Sequence, residues 1–150
     1  MLLKRAERRH RLTTAHYRRL AAFRGAIREF LRFSEEAAAK AGLTAQHYQA
    51  MLLLRARAES EPVTINDLAR ELLIRHNSAV GLVDRLVREG LVAREASSSD
   101  RRKVELRLSG RGRQVLSKLA GMHRRELERI GPVLKRLIAQ AAAPDPPEGS

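Results

Sequence analysis

The chain has no cysteine among its 150 residues. That excludes a disulfide framework, a thiolate metal site and a thiol redox switch. It also suits a reducing cytoplasmic setting. Aromatic side chains make up only 3%, mostly at core-like spacings, so the stacking platforms common in single-strand RNA binders are missing. No apolar run approaches the ~20 residues a membrane helix needs. The start, MLLKRAERRH, is basic but has no apolar stretch or small-residue cleavage site, so it does not read as a secretory signal. Cytoplasm is the expected location, with no membrane partner. Acidic residues are also in deficit, 17 against 30 Lys and Arg, for a formal net charge of +13. Basic residues that neutralise phosphates release condensed counterions, so this excess favours a polyanionic partner. The plainer account is a well-solvated surface from an Arg-preferring genome.

The length fits one domain with a helical appendage, and is enough to bury a core without metal or disulfides. Residues 1–12 carry many charges and little apolar periodicity, and read as a frayed lead-in. From about Thr13, Leu20, Phe23, Ile27, Phe30 and Ser34 recur at three- and four-residue steps, joined by Leu31 and Ala38. A helix approaching 30 residues belongs to a bundle or an intersubunit contact, and Gly42 ends it. Thr44 caps a second helix over roughly 45–58, with Tyr48, Met51, Leu52 and Arg55 as its buried stripe. Glu59-Ser60-Glu61-Pro62 breaks the chain.

Thr64 and Asp67 form a near-variant of the capping box for INDLARELL, whose inner face is Ile65, Leu68, Ala69 and Leu72. After a break near Ile74-Arg75, a helix over 76–89 presents Val80, Val83, Leu86 and Val87 to the core, and Gly90 closes it. LVARE (91–95) and KVELRL (103–108) read as a strand hairpin. In the second strand Val104, Leu106 and Leu108 face one way, and Lys103, Glu105 and Arg107 the other. Ser109 caps a last helix to about Ala141, in which Pro132 predicts a kink or a new start. The Pro-rich tail AAAPDPPEGS reads as disordered. The pattern is mainly α with a small β-hairpin: a winged helix-turn-helix plus a helical dimerisation region. Its expected divisions are an arm and dimerisation helix (1–42), a winged unit (43–110), carboxy-terminal dimerisation helices (111–141) and a tail (142–150).

The helix at 76–89 exposes His76, Asn77, Ser78, Gly81 and Arg85, with Arg75 just before it. A helix N-terminus is narrow enough for the major groove, its N–H groups favour phosphate, and His, Asn, Ser and Arg hydrogen-bond base edges. Gly81 allows close backbone approach. The alternative is an ordinary solvated helix with Asn77 or Ser78 as its cap. The preceding helix favours the first reading, because the pair has helix-turn-helix spacing. The hairpin loop Ser97-Ser98-Ser99-Asp100-Arg101-Arg102-Lys103 places three consecutive cations at its tip. A minor groove concentrates negative potential and attracts an inserted Arg, and Asp100 is suited to bracing an Arg by a charge-assisted hydrogen bond. Taken alone, the loop is a solvated turn; beside a helix-turn-helix, it is a wing.

Residues about 20–140 resemble the MarR family of bacterial transcription regulators. The resemblance rests on LTAQHYQAMLLL, VTINDLARELL, NSAVGLVDRLVREGLVAR and DRRKVELRLSGRG. The last is similar to the family's wing signature, with Asp100, Arg102, Leu108 and Gly112 matching and Ser109 in place of Thr. The resemblance implies a homodimer with interlocked first and last helices, reading successive major grooves of a pseudo-palindrome in double-stranded DNA. It carries the reading helix onto 76–89 and the wing-tip Arg onto Arg102. Many relatives hold Thr or a long polar residue near Gly81, which puts base reading at that position in question.

Similar regulators often bind small aromatic or acidic effectors. Phe23, Ile27 and Phe30, with Tyr48 and Leu52, would line such a pocket, and Arg24 would pair a carboxylate. The competing account is plain hydrophobic core. The five histidines (His10, His16, His47, His76, His123) show no metal-binding spacing and, except for His76, read as surface residues. No metal or cofactor is expected. Ser109-Gly110-Arg111-Gly112 does not complete a phosphate-loop motif, since Val115 stands where a third Gly belongs, and no enzyme is expected. The rival from another class is a basic RNA- or ribosome-associated protein. Residues 1–32, with ten Lys and Arg against two Glu, would then serve as a phosphate-binding arm.

Overall fold

A computed structural model describes residues 12–145. The lead-in at 1–11 and the tail at 146–150 lie outside the described residues. The elements run α1 (Thr14–Lys40), α2 (Ala45–Arg57), α3 (Ile65–Glu71), α4 (His76–Arg88), β1 (Val92–Ala96), β2 (Val104–Leu108) and α5 (Gly110–Ala142). The chain is mainly helical with one two-stranded antiparallel hairpin, as the pattern predicts. It divides into two compact units: Phe33–Arg125, and the described residues up to Arg32 together with those from Glu126 onward.

The Phe33–Arg125 unit owns the hydrophobic core. Met51, Leu68, Val83 and Leu86 are its largest fully buried side chains, each stabilising the fold by about 1.5–3 kcal/mol. Leu54, Val63, Leu82, Leu91, Leu106, Leu116 and Leu119 surround them. The expected capping box at Thr64 is formed, and Thr44, expected only as a cap, forms a second one. Thr64 and Asp67 exchange side-chain bonds with each other's backbone N–H at the start of α3. Thr44 pairs the same way with His47 at the start of α2. Ser109 Oγ accepts the Gly112 N–H at 2.9 Å and so caps α5.

Three helices of this unit end in one motif, in which a residue of positive φ turns its own and the next N–H back onto the last carbonyls. At the end of α1, Gly42 (φ 72°) donates to Ala39 O and Leu43 to Ala38 O. At the end of α4, Gly90 (φ 70°) donates to Val87 O and Leu91 to Leu86 O. At the end of α3 the turning residue is Leu73 (φ 54°), donating to Arg70 O, while Ile74 donates to Ala69 O.

Several expectations need correction. Leu52 is 43% exposed and Arg55 is exposed; the buried stripe of α2 is instead His47, Tyr48, Ala50, Met51 and Leu54. Leu31 is half exposed. His47 and His123 are buried rather than superficial. His123 stacks on Tyr48 at a centroid separation of 4.1 Å. Its Nδ1 lies 2.7 Å from Leu119 O, a carbonyl that only accepts, so Nδ1 donates there; Nε2 hydrogen-bonds the Ser34 hydroxyl at 2.8 Å. The β2 alternation is also broken. Val104 is exposed while Glu105 and Leu106 are both buried. The physical reason is a covering segment: Val63 bridges to Leu106, with the Leu106 N–H donating to Val63 O at 2.8 Å. A cavity of about 480 Å³ is lined by residues between Leu54 and Val63 and by Glu105–Leu108. Pro132 starts no new helix, since α5 is continuous through it; proline removes only one donor from the ladder.

In the second unit, Asp145 lies in the segment expected to be disordered but is held in place. Its Oδ2 accepts the Thr13 N–H at 2.8 Å, and its Oδ1 accepts from Arg19 Nη2 at 2.6 Å. The Thr13 bond is the first cause holding its carboxyl below the usual carboxylate range.

Candidate nucleic-acid interface

The candidate interface is built from α3, α4 and the hairpin. The capping box fixes the start of α3, and the Thr64 backbone bond is the main reason the Asp67 carboxyl stays below its ordinary range. The N-cap of α4 is Arg75, which makes no side-chain capping bond. Asn77 and Ser78 are therefore not consumed as caps. They stand exposed with Arg75 and His76 at the start of the helix, while Ala79, Leu82, Val83 and Leu86 anchor the opposite face.

Strands β1 and β2 pair antiparallel from Val92↔Leu108 to Ala96↔Val104. Ser97 is buried at the base of the loop, where its Oγ accepts from the Ser99 and Asp100 N–H groups. Asp100 Oδ1 accepts the backbone N–H of Arg102 at 3.0 Å, and the Lys103 N–H donates to Asp100 O at 3.0 Å. Asp100 thus braces the Arg102 backbone, not its guanidinium as the sequence suggested. Arg101, Arg102 and Lys103 remain exposed.

Between helices and wing lies a groove of about 390 Å³ lined by Thr64, Ile65, Asn66, Asp67, His76, Arg102, Lys103 and Val104. It brings His76, Arg102 and Lys103 together from segments about 26 residues apart in sequence. Arg75, Asn77, Ser78, Asp100 and Arg101 do not line it. Asn66 does, and sequence reasoning missed it. The available signal was its exposed place between Ile65 and Asp67, a stretch read only as a helix start. Arg85 is exposed, and its Nη2 donates to Gly42 O at 2.8 Å. Its α4 neighbour Asp84 forms an ion pair with Arg94 of β1. A Cβ built at Gly81 meets nothing within 4 Å, so packing does not require glycine there.

The six residues expected for an effector are divided between the two units. Phe23, Ile27 and Phe30 are half-buried and Arg24 is exposed, all in one unit. Tyr48 and Leu52 lie in the other; Tyr48 already has a face covered by His123. None of the six lines either cavity described above. Among the described residues, no cluster of three or more His, Asp or Glu could hold a metal ion, and no helix is long and apolar enough to cross a membrane.

The MarR family profile matches residues 41–103, the segment containing α2 through most of the hairpin. That segment is similar to the MarR family. The HTH-type transcriptional regulator FarR of Neisseria gonorrhoeae is 32% identical over 80 residues, covering 53% of each protein. The chain therefore spans about half the length of the curated relative it matches. Among solved structures, RV1404 from Mycobacterium tuberculosis is 25% identical, with a TM-score of 0.64 over 76% of this chain and 77% of that one. An S. aureus MepR–DNA complex is similar at 18% identity, with a TM-score of 0.66 over 79% and 84%; at that identity the likeness concerns the fold. The MarR-type segment places its helix pair and hairpin where the groove between His76 and Arg102 is formed.

Proposed function

We propose that this chain is a sequence-specific, duplex-DNA-binding transcriptional regulator. It acts as a homodimer on a pseudo-palindromic operator and represses by occupying a promoter. The observation carrying this reading is the groove in which His76 of α4 faces Arg102 and Lys103 of the wing. A helix N-terminus with unspent Asn and Ser side chains suits a major groove, and a cationic loop suits the adjacent minor groove. The net charge of +13 supplies the attraction to phosphate.

Dimerisation is supported by where apolar surface is left uncovered. Among the described residues, every buried core residue belongs to 33–125, whereas six of the nine exposed large apolar residues, Leu12, Tyr17, Leu31, Leu127, Val133 and Ile138, belong to the second unit. A second copy of the same helices would cover them.

The test is enrichment of random duplexes on the intact chain, followed by gel-shift comparison of the selected site with structured RNA. The expected product is a site of two half-sites about one helical turn, ~10 bp, apart. Preferential RNA binding with no selected duplex would overturn the reading in favour of an RNA-associated protein. Small molecules are then screened for release of the selected site.

A further inference from the structure

Leu73 stands where the two other helix ends of the same motif place glycine. The left-handed conformation it adopts, φ 54°, brings the Cβ of an L-residue against its own carbonyl, a clash that glycine avoids. The motif's two backbone hydrogen bonds hold this conformation, and a glycine would make the same bonds without the clash. The side chain is 91% exposed, the most exposed large apolar residue described. Strain and exposure thus fall on one residue, three positions before His76 and adjoining the exposed start of α4. Strained residues cluster at functional sites, so an observed outlier motivates a functional hypothesis.

We propose that Leu73 is a specificity-determining residue of the DNA interface, making apolar contact with a thymine C5-methyl group at the major-groove edge. The inference rests on the DNA-binding reading above. The thymine methyl is the apolar feature that the major groove presents, and it separates thymine from every other base. The polar residues at the start of α4 read hydrogen-bonding edges; Leu73 adds the one kind of contact they lack.

The experiment compares the native chain with Leu73→Gly and Leu73→Asn, both of which tolerate positive φ. Binding is measured to the selected duplex and to copies with single thymines replaced by deoxyuridine, which removes only the methyl. Both variants are expected to melt at or above the native temperature and to bind the selected duplex more weakly. At one or more positions, deoxyuridine should cost the native chain about three- to fourfold, the worth of one buried methyl, and cost the variants nothing. Variants with native affinity, or a native chain indifferent to every methyl, would overturn the inference while leaving DNA binding intact. Use of Leu73 for a protein partner gives that same result. A native chain that selects no duplex overturns the underlying reading as well.

Discussion

The Asp100 carboxylate accepts the backbone N–H of Arg102 at 3.0 Å, so the acid shapes the wing and leaves the guanidinium to the solvent. Arg102→Ala should therefore leave the melting temperature unchanged while weakening duplex binding. The slope of log affinity against log salt should fall by about 1, as for one lost phosphate contact. Titration at several salt concentrations checks this; an unchanged slope means that the wing tip does not touch DNA.

Gly112 makes a different demand. A Cβ at this position would lie 2.0 Å from Leu91 O, a backbone atom that cannot step aside. Gly112→Ala should cost about 1–3 kcal/mol through overpacking, lowering the melting temperature by roughly 3–10 °C. Calorimetry measures it directly, and a variant as stable as the native chain would show that the helix start can shift freely.

Gly81 contrasts with it, since its missing Cβ would meet open space. Gly81→Ala should stabilise α4 by about 0.5–1 kcal/mol. If the α4 backbone approaches DNA closely there, the same substitution weakens binding to the selected duplex. Denaturation and gel shift on one preparation separate the two effects, and a variant that gains stability at native affinity removes Gly81 from the interface.

His47 predicts an acid-side loss of stability. Burial first, and the Arg85 cation second, hold its pKa below the ordinary 6.5. Its Nδ1 accepts the Thr44 N–H at 3.1 Å, a bond that only the form unprotonated at Nδ1 can make. Because the folded value is the lower one, its contribution is fully present above 6.5 and is lost as pH falls through the folded value. Native stability should decline across that window. In His47→Gln, which keeps a capping-box acceptor, the decline should be smaller. Equal pH profiles for the two proteins would assign the acid sensitivity elsewhere.

The helices, the hairpin and their order are legible because local physics writes them into the sequence: caps at Thr44, Thr64 and Ser109, stop signals at Gly42 and Gly90, and apolar recurrence through α3 and α4. His76, Arg102 and Lys103, which line one groove, are likewise candidates by residue type and position. What escaped depends on contacts distant in sequence. Glu105 reads as an outward strand residue until the segment ending at Val63 covers it. His123 reads as superficial until Tyr48 and Ser34, from two other helices, close on it. The bond from Arg85 to the Gly42 carbonyl joins two helix ends distant in sequence. No periodicity encodes such pairings.

One joint carries a mechanical consequence. The Ser109 hydroxyl donates to Gly90 O at 2.6 Å, and the Ser109 N–H donates to Leu91 O at 3.0 Å. Leu91 O is also the atom against which Gly112 closes. The end of α4, the exit of β2 and the first turn of α5 are thus riveted at a single point. These bonds tie the base of the wing to the end of the helix beside it. If the chain binds a duplex as proposed, helix and wing would leave it together, and the kinetics of release should show one step rather than two.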